Sequence, residues 1–366
     1  MKLIVLYLGR HGAGPMYSYE FCKALLKQKI KLLVIISSYC DNLSNWIQLE
    51  KEYANHLNLV IIPTYNSKRE FILSSLNILR FYKIVKLINE FGSKHIFAPM
   101  VHPWHNIILS FISPQIQKIK VIHDASVHSG ERNLFSLLLN WIDINISDKL
   151  VVLSNYSKIQ LEEKVNKNKP IIVIPHAEFG GYNQFTENKS PKKIFNKIGF
   201  FGRINKYKGL NVLLEALPEI HQHLPHLELL IAGNGDCTEY EDYFNKYKSI
   251  LELHIRWIED EEVANLLKGI DLVVLPYIEA SQSGVIPLAF ALGKTVIATN
   301  VGGLPEQVPT NTGYIIPPNC PEILADTIID LYKNPDKIIE MGQNAHEYAK
   351  ENLSWESSAN KLLENL

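Results

Sequence analysis

The chain has 366 residues, 46% hydrophobic and 20% charged, enough apolar material for two ordinary globular domains and too much for a disordered chain. Its formal net charge is −1, so no overall field draws it to nucleic acid, and any anion site must be local. Four cysteines, Cys22, Cys40, Cys237 and Cys320, stand far apart without metal-ligand spacing, and no apolar run reaches the ~20 residues that cross a bilayer.

The opening segment Met1–Leu8 has one Lys and runs into a Gly-rich turn without a cleavage-site pattern. It reads as a first strand, not a signal peptide. With the scattered thiols, the expectation is a cytoplasmic protein.

Strand and helix alternate along the chain. Leu3–Leu8 reads as a strand, Gly12-Ala-Gly-Pro15 as a turn, and Tyr17–Gln28 as a helix. Strands follow at Lys31–Ile36, Leu59–Ile62, His95–Ala98, Lys120–His123, Leu150–Leu153 and Ile171–Ile174, with helical stretches between most of them. Short apolar strands separated by helices predict a parallel sheet covered on both faces. The segment 178–196, with Gly180, Gly181, Asn183 and a Lys-rich stretch, is the candidate linker.

The alternation then restarts. Strands are expected at Ile198–Phe201, Leu227–Ala232, Leu253–Trp257, Leu272–Leu275, Thr295–Ala298 and Tyr314–Ile316, and helices at Leu210–His221, Glu261–Lys268 and Pro287–Leu292. From Pro321 the chain reads as helical, broken near Asn334-Pro335 and between Asn352 and Trp355. The fold class is α/β, with two Rossmann-like domains facing each other across a cleft. The domain bounds are 1–180, 181–350, and a terminal helix, 351–366. Ligands of such sheets bind at the carboxyl ends of the strands.

Two segments carry chemistry. In the first, a strand ends at Gly202-Arg203 and a turn leads to Lys208-Gly209 at a helix start. Two cations then stand beside unpaired backbone N–H groups, an arrangement that suits a diphosphate. Spacing alone fits a solvated basic turn equally well, with Lys197 and Lys206 nearby. In the second, Ser281-Gln-Ser-Gly-Val285 follows the apolar strand Leu272–Leu275. Its small residues let backbone amides approach a phosphate, and Ser281 and Ser283 add hydroxyls; the same residues also suit an ordinary helix cap.

Together, Gly202-Arg-x4-Lys208-Gly, Ile231-Ala-Gly-Asn-Gly-Asp236 and Gly293-Lys-Thr-Val-Ile-Ala-Thr-Asn-Val-Gly-Gly-Leu-Pro-Glu306 resemble the C-terminal half of a family 4 retaining glycosyltransferase of GT-B architecture. The N-terminal half agrees through Gly12-Ala-Gly-Pro-Met-Tyr-Ser-Tyr19, His123-Asp124, His128-Ser-Gly-Glu131, Asp148-Lys149, Ser154-Asn-Tyr-Ser157 and Pro175-His176. The Ser-Gln-Ser-Gly form resembles the subset that builds exopolysaccharide and O-antigen.

The resemblance implies an acceptor-binding N-terminal domain and a nucleotide-sugar-binding C-terminal domain, with the last helix packed back on the first domain. Arg203 and Lys208 would stabilise the departing diphosphate, with Gly12, Gly14, Ser281, Ser283, Gly284 and Val285 beside it. His123, Asp124 and Gln282 would face sugar or acceptor, His123 as a catalytic-site residue. Asn234, Trp257 and Ile258 would line the base pocket. The family's two glutamates, eight positions apart, fall here on Ala280 and Leu288, with Glu279 one residue out of register.

No cofactor or metal is implied. His11, His102 and His105 lack ligand spacing, Glu259–Glu262 reads as the acidic start of a helix, and no Asp-x-Asp motif appears. The implied partners are a nucleotide-sugar donor and a lipid-linked oligosaccharide acceptor, at the inner face of the membrane; nucleic acid is not among them. The span Ser74–Glu90 reads as a sheet-covering helix with a solvated basic face in preference to a membrane-resting one. The readings left beside the transferase are a nucleotide-sugar 2-epimerase, a non-catalytic nucleotide-sugar-binding subunit, and a two-domain small-ligand binder.

Overall fold

The computed structural model describes residues 1–123, 134–166, 168–178 and 196–366. These divide into two compact units. One holds the described residues up to 175 together with 355–366; the other holds 176–178 and 196–354. The expected boundary at 180/181 and most of the expected linker lie outside the described residues, as do Asp124 and the segment 128–131.

The first unit alternates β1 (Lys2–Tyr7), α1 (Ala13–Lys27), β2 (Lys31–Ser37), α2 (Leu43–Glu52), β3 (Leu57–Ile62), α3 (Lys68–Ser75), α4 (Ile78–Glu90), β4 (His95–Ala98), α5 (Pro103–Phe111), β5 (Gln117–Val121), α6 (Leu134–Ile146), β6 (Lys149–Val152), α7 (Asn155–Glu162) and β7 (Ile171–Val173). Among the described residues the strands pair in parallel in the order β3-β2-β1-β4-β5-β6-β7. Strands buried on both faces must be apolar at successive positions, and Leu3–Leu6 and Leu32–Ile36 are.

The second unit runs β8 (Lys197–Phe201), α8 (Leu210–His223), β9 (Glu228–Ala232), α9 (Glu241–Lys246), β10 (Leu251–His254), α10 (Asp260–Lys268), β11 (Leu272–Leu275), α11 (Val285–Ala291), β12 (Thr295–Thr299), α12 (Leu304–Gln307), β13 (Gly313–Ile316), α13 (Pro321–Lys333) and α14 (Pro335–Asn352). Its parallel order is β10-β9-β8-β11-β12-β13, the doubly wound arrangement of dinucleotide-binding sheets. Apolar clusters cover both faces, Leu213 and Ile231 in one and Val273 and Phe290 in the other.

Residues 351 and 352 still belong to α14; after them the chain enters α15 (Trp355–Leu363), which packs on α1 within the first unit. Trp355 meets Tyr17 edge-on at 5.0 Å between ring centroids, and Lys27 pairs with Glu356 at 2.6 Å.

Several expectations change. The strand expected at Lys120–His123 is β5, Gln117–Val121, paired in register with β4, which leaves His123 beyond its end. The span Ser74–Glu90 is not one helix: α3 ends at Ser75, and Asn77 caps α4 by accepting from Arg80 N–H at 3.1 Å. The strand expected at Leu253–Trp257 is β10, two residues earlier at its start, because the edge strand follows the hydrogen-bond register of β9. No helix among the described residues is long and apolar enough to cross a membrane.

Candidate active site

In the second unit β8 and β11 are neighbours, and the chain leaves them toward opposite edges of the sheet. This reversal opens a crevice at their carboxyl ends, where ligands of such sheets bind. The loops that leave these strands, 202–209 and 276–284, hold the two segments singled out from the sequence, Gly202–Gly209 and, up to the start of α11, Ser281–Val285.

The loops are locked together. Gly209 has φ +68°, and a Cβ there would stand 1.9 Å from the Pro276 carbonyl oxygen, so only glycine fits. Ile278 N–H donates to Tyr207 O at 2.8 Å. A third loop joins from β9: Ile204 N–H donates to Asn234 O at 2.8 Å, and a Cβ on Gly233 would meet Gly202 O at 1.8 Å.

Arg203 is exposed directly after β8. Lys208 closes a single 3-10 turn, Lys206–Lys208, and its Nζ lies 3.8 Å from the centroid of the Tyr277 ring. The ring face attracts the ammonium and fixes its position. Tyr277 OH in turn bonds Ser283 Oγ at 3.2 Å, and Thr299 Oγ1 donates to Tyr277 O at 2.5 Å. Lys208, Tyr277 and Ser283 therefore form one connected line across the two loops.

The second loop differs from the expectation of a row of exposed amides. Ser281 and Ser283 are buried. Ser283 N–H donates to Gln307 Oε1 at 2.7 Å, and Gln307 Nε2 donates to Ser283 O at 3.0 Å. Val285 N–H is held by Ser283 Oγ at 3.3 Å. Of the three amides from Ser283 to Val285, only that of Gly284, the cap of α11, has no partner among the described residues. Gln282 Oε1 is buried without a partner there.

At the positions of the family's glutamates, Ala280 is buried and Leu288 packs in the apolar cluster behind β11. Leu288 is turned into the core. Ile258 is likewise a core residue; Trp257 is half exposed beyond the edge strand β10. Asn234 is exposed on the β9 loop. A surface cavity of about 500 Å³ beside it is lined by Ile204, Lys206, Asp236, Thr238, Glu239 and Tyr240. The Thr238 hydroxyl and N–H hold the Asp236 carboxyl below its usual range, and Lys206 pairs with Glu239 at 3.8 Å.

In the first unit Gly12 caps α1 with φ +86°, and a Cβ on Gly14 would stand 2.9 Å from Tyr7 OH, so both glycines have local reasons. His123, two residues past β5, bonds Pro99 O through Nε2 at 2.9 Å, so that nitrogen carries the proton. Its ring meets Tyr17 edge-on at 5.5 Å.

His11 pairs with Asp41 at 2.6 Å on the surface. His102 Nδ1 caps α5 by accepting from Trp104 N–H at 3.2 Å, and burial, then Arg10, push its pKa down to about 3. Fully buried His105 is pushed well below its usual value by burial and then Lys120. Among the described residues no three His, Cys, Asp or Glu side chains group as metal ligands.

Sequence reasoning missed Tyr277, Gln307 and Arg10. Arg10 sits between β1 and α1, stacked at 4.9 Å on the Tyr65 ring and donating to Tyr65 O at 2.5 Å. Tyr277, just past an apolar strand, was detectable as an aromatic beside a lysine turn. Gln307 carries no local signal, because its partner lies far back in the chain.

Residues 195–334 match the family model described as Glycosyl transferases group 1. Among curated proteins, the D-inositol 3-phosphate glycosyltransferase of Corynebacterium efficiens is 32% identical over 174 residues, covering 45% of this chain and 41% of that protein. The chain thus spans about half the length of the curated relatives it matches. Among solved structures, a glycosyltransferase from Rickettsia africae superposes with a TM-score of 0.71 at 20% identity, covering 100% of this chain and 97% of the other. HepE of Anabaena in complex with UDP-glucose gives 0.68 at 18%, covering 99% and 100%. The two-domain α/β fold is therefore that of GT-B glycosyltransferases. The segment similar to that family model begins just before β8, ends between α13 and α14, and contains Arg203, Lys208, Tyr277, Ser283 and Gln307.

Proposed function

We propose that the chain is a retaining glycosyltransferase of family 4 that moves a sugar from a nucleoside diphosphate donor to a hydroxyl of a lipid-linked oligosaccharide, in surface polysaccharide assembly at the inner face of the membrane. The observation that carries this reading is Lys208 held on Tyr277, with Arg203 on the same loop, at the carboxyl ends of β8 and β11.

As the bond between the anomeric carbon and the diphosphate oxygen breaks, negative charge grows on the diphosphate. Preorganised cations there stabilise the transition state more than the ground state. Arg203 offers a forked contact and Lys208 a point charge, and Gly284 N–H adds a backbone donor. The acceptor oxygen bonds to the anomeric carbon, and its proton passes to the departing diphosphate. The cation pair takes the role a divalent metal has in other transferases, and His123 faces the sugar. With Leu288 apolar, the donor ribose takes its hydrogen bonds from other groups.

The test is a thermal-shift panel of UDP, GDP, ADP and CMP against the purified protein and its Arg203→Ala variant. A diphosphate at about a hundred times its dissociation constant stabilises by about 2.7 kcal/mol. A shift with one nucleotide that is lost in the variant supports the reading and names the donor base. Equal shifts in both proteins refute the phosphate assignment. Loss of sugar transfer on adding EDTA refutes the metal-free mechanism.

A further inference from the structure

The first unit has a switch point of its own. Its strand order reverses between β1 and β4, so the loops leaving these two strands bound a crevice at their carboxyl ends. The second unit places Arg203 and Lys208 at its reversal; the first unit places Arg10 there, three residues past β1. Helices α1 and α5 start beside it, at Ala13 and Pro103, and neither carries an acidic residue in its first turn. Both N-termini add partial positive charge to that of the guanidinium.

Arg10 is half-buried and held through both its backbone and its side chain. Its carbonyl oxygen accepts from Asp41 N–H at 2.9 Å, and its Nη1 donates to Tyr65 O at 2.5 Å and to Asn66 Oδ1 at 3.1 Å. The guanidinium lies 4.9 Å from the centroid of the Tyr65 ring. These contacts use one terminal nitrogen. Nε and Nη2, the parallel donors along the other edge, have no partner among the described residues, and no carboxylate there pairs with Arg10. Asp41, in the neighbouring loop, is paired with His11.

A second donor nearby lacks its acceptor. His102 Nδ1 accepts from Trp104 N–H, so Nε2 carries the proton, and Nε2 is buried without a partner among the described residues. The His102 ring lies 5.5 Å from the same Tyr65 ring, and burial, then Arg10, keep the imidazole neutral. Lys120, whose charge His102 also feels, is already paired with Asp143. The crevice therefore offers donors and one cation without a counter-ion. The free edge of that guanidinium presents two parallel N–H groups, the geometry that grips a carboxylate or a phosphate by two oxygens. Asn66, its amide oxygen fixed by Arg10, turns an exposed amide nitrogen to a neighbouring hydroxyl.

We propose that Arg10 anchors an acidic group of the acceptor, which is an acidic saccharide whose carboxylate or phosphate takes the Nε–Nη2 edge. The side chain is drawn to the β3 loop by Tyr65 and Asn66, and not to the glycine turn of Gly12 and Gly14. The proposal rests on the transferase reading above and adds the charge class of its acceptor. Its test reads saccharide binding without donor or transfer, so failure here is separate from failure of nucleotide binding.

The experiment titrates glucuronic acid, glucose 6-phosphate and methyl glucoside against the whole protein by ligand-observed nuclear magnetic resonance. At least one acidic sugar should bind about tenfold more tightly than methyl glucoside, and the tighter of the two names the acid. Arg10→Gln should bring the acidic sugars down to the neutral one. Arg203→Ala with Lys208→Ala should keep the preference, because those cations belong to the other unit. Asn66→Asp, at an exposed position, gives Arg10 a fixed carboxylate and should weaken the acidic sugars about tenfold; it serves as the test where Arg10→Gln fails to fold. The proposal is overturned if the acidic sugars bind no better than methyl glucoside, or if folded Arg10→Gln or Asn66→Asp binds them as the parent does. It is also overturned if the preference is lost with Arg203 and Lys208, or if Arg10→Gln loses nucleotide affinity as well, which assigns Arg10 to the donor diphosphate.

Discussion

Gln307 holds Ser283 by both of its backbone groups, accepting from the N–H at 2.7 Å and donating to the carbonyl at 3.0 Å. One side chain thereby fixes the loop between β11 and α11 to the end of α12, and holds Ser283 Oγ where it meets Tyr277. Replacing Gln307 by Ala leaves two polar groups of a buried residue unpaired. The expected cost is about 1–3 kcal/mol of stability, with weaker nucleotide binding, measured by denaturant unfolding and calorimetric titration. Gln307→Glu keeps the accepted bond and loses the donated one, so it should fall between Ala and the parent.

Lys208 depends on Tyr277 for its position. Tyr277→Leu keeps the apolar bulk but removes the ring face and the hydroxyl. Nucleotide affinity should drop about three- to tenfold, less than for Lys208→Ala, which deletes the charge itself. Equal affinity in the parent and in Lys208→Ala would remove the lysine from the site.

Gly209→Ala is expected to be among the most damaging changes in the second unit. It forces φ +68° on an L side chain and drives its Cβ into the Pro276 backbone, for roughly 3 kcal/mol or more. Gly284→Ala, at φ −72°, should fold normally. The contrast is read from thermal midpoints of the two variants.

Acid should weaken the first unit through His102 and His105. Both are buried and held neutral, His102 with its pKa pushed down to about 3 from 6.5. Between those two His102 values the unfolded chain binds a proton that the folded one refuses. Stability therefore falls as pH drops below about 6.5, by roughly 2–3 kcal/mol at pH 4.5 from His102, and His105 adds to the fall in the same direction. A His102→Gln variant should show a flatter dependence of unfolding free energy on pH.

Lys120 and Asp143 form an ion pair with both side chains 0% exposed. Burial lowers the lysine's pKa and raises the carboxyl's, while each partner opposes the shift. Asp143→Ala alone should cost about 3–5 kcal/mol, because it strands a buried cation. Lys120→Met with Asp143→Leu should cost far less. A double-mutant cycle measures the difference.

Much of this molecule was legible in the sequence because its elements are locally specified. Leu272–Leu275 is a run of four apolar residues closed by Pro276, and β11 has those bounds. The breaks between α13, α14 and α15 follow Asn334-Pro335 and the residues before Trp355, where proline and turn-forming residues interrupt helical spacing. Where a boundary depended on a neighbour it was misread. β10 takes its limits from the register of β9, and α4 starts where Asn77 caps it.

By itself, the sequence determined an alternating parallel fold and two loops with the right residue types for an anion, since periodicity and turn chemistry are local properties. Tertiary structure decided which of those residues are available. Ser281, Ser283 and Ile258 are buried, Lys208 rests on Tyr277, and the Ser283 amide belongs to Gln307. Exposure and hydrogen-bond partners depend on residues distant in the chain, and only packing brings those into contact.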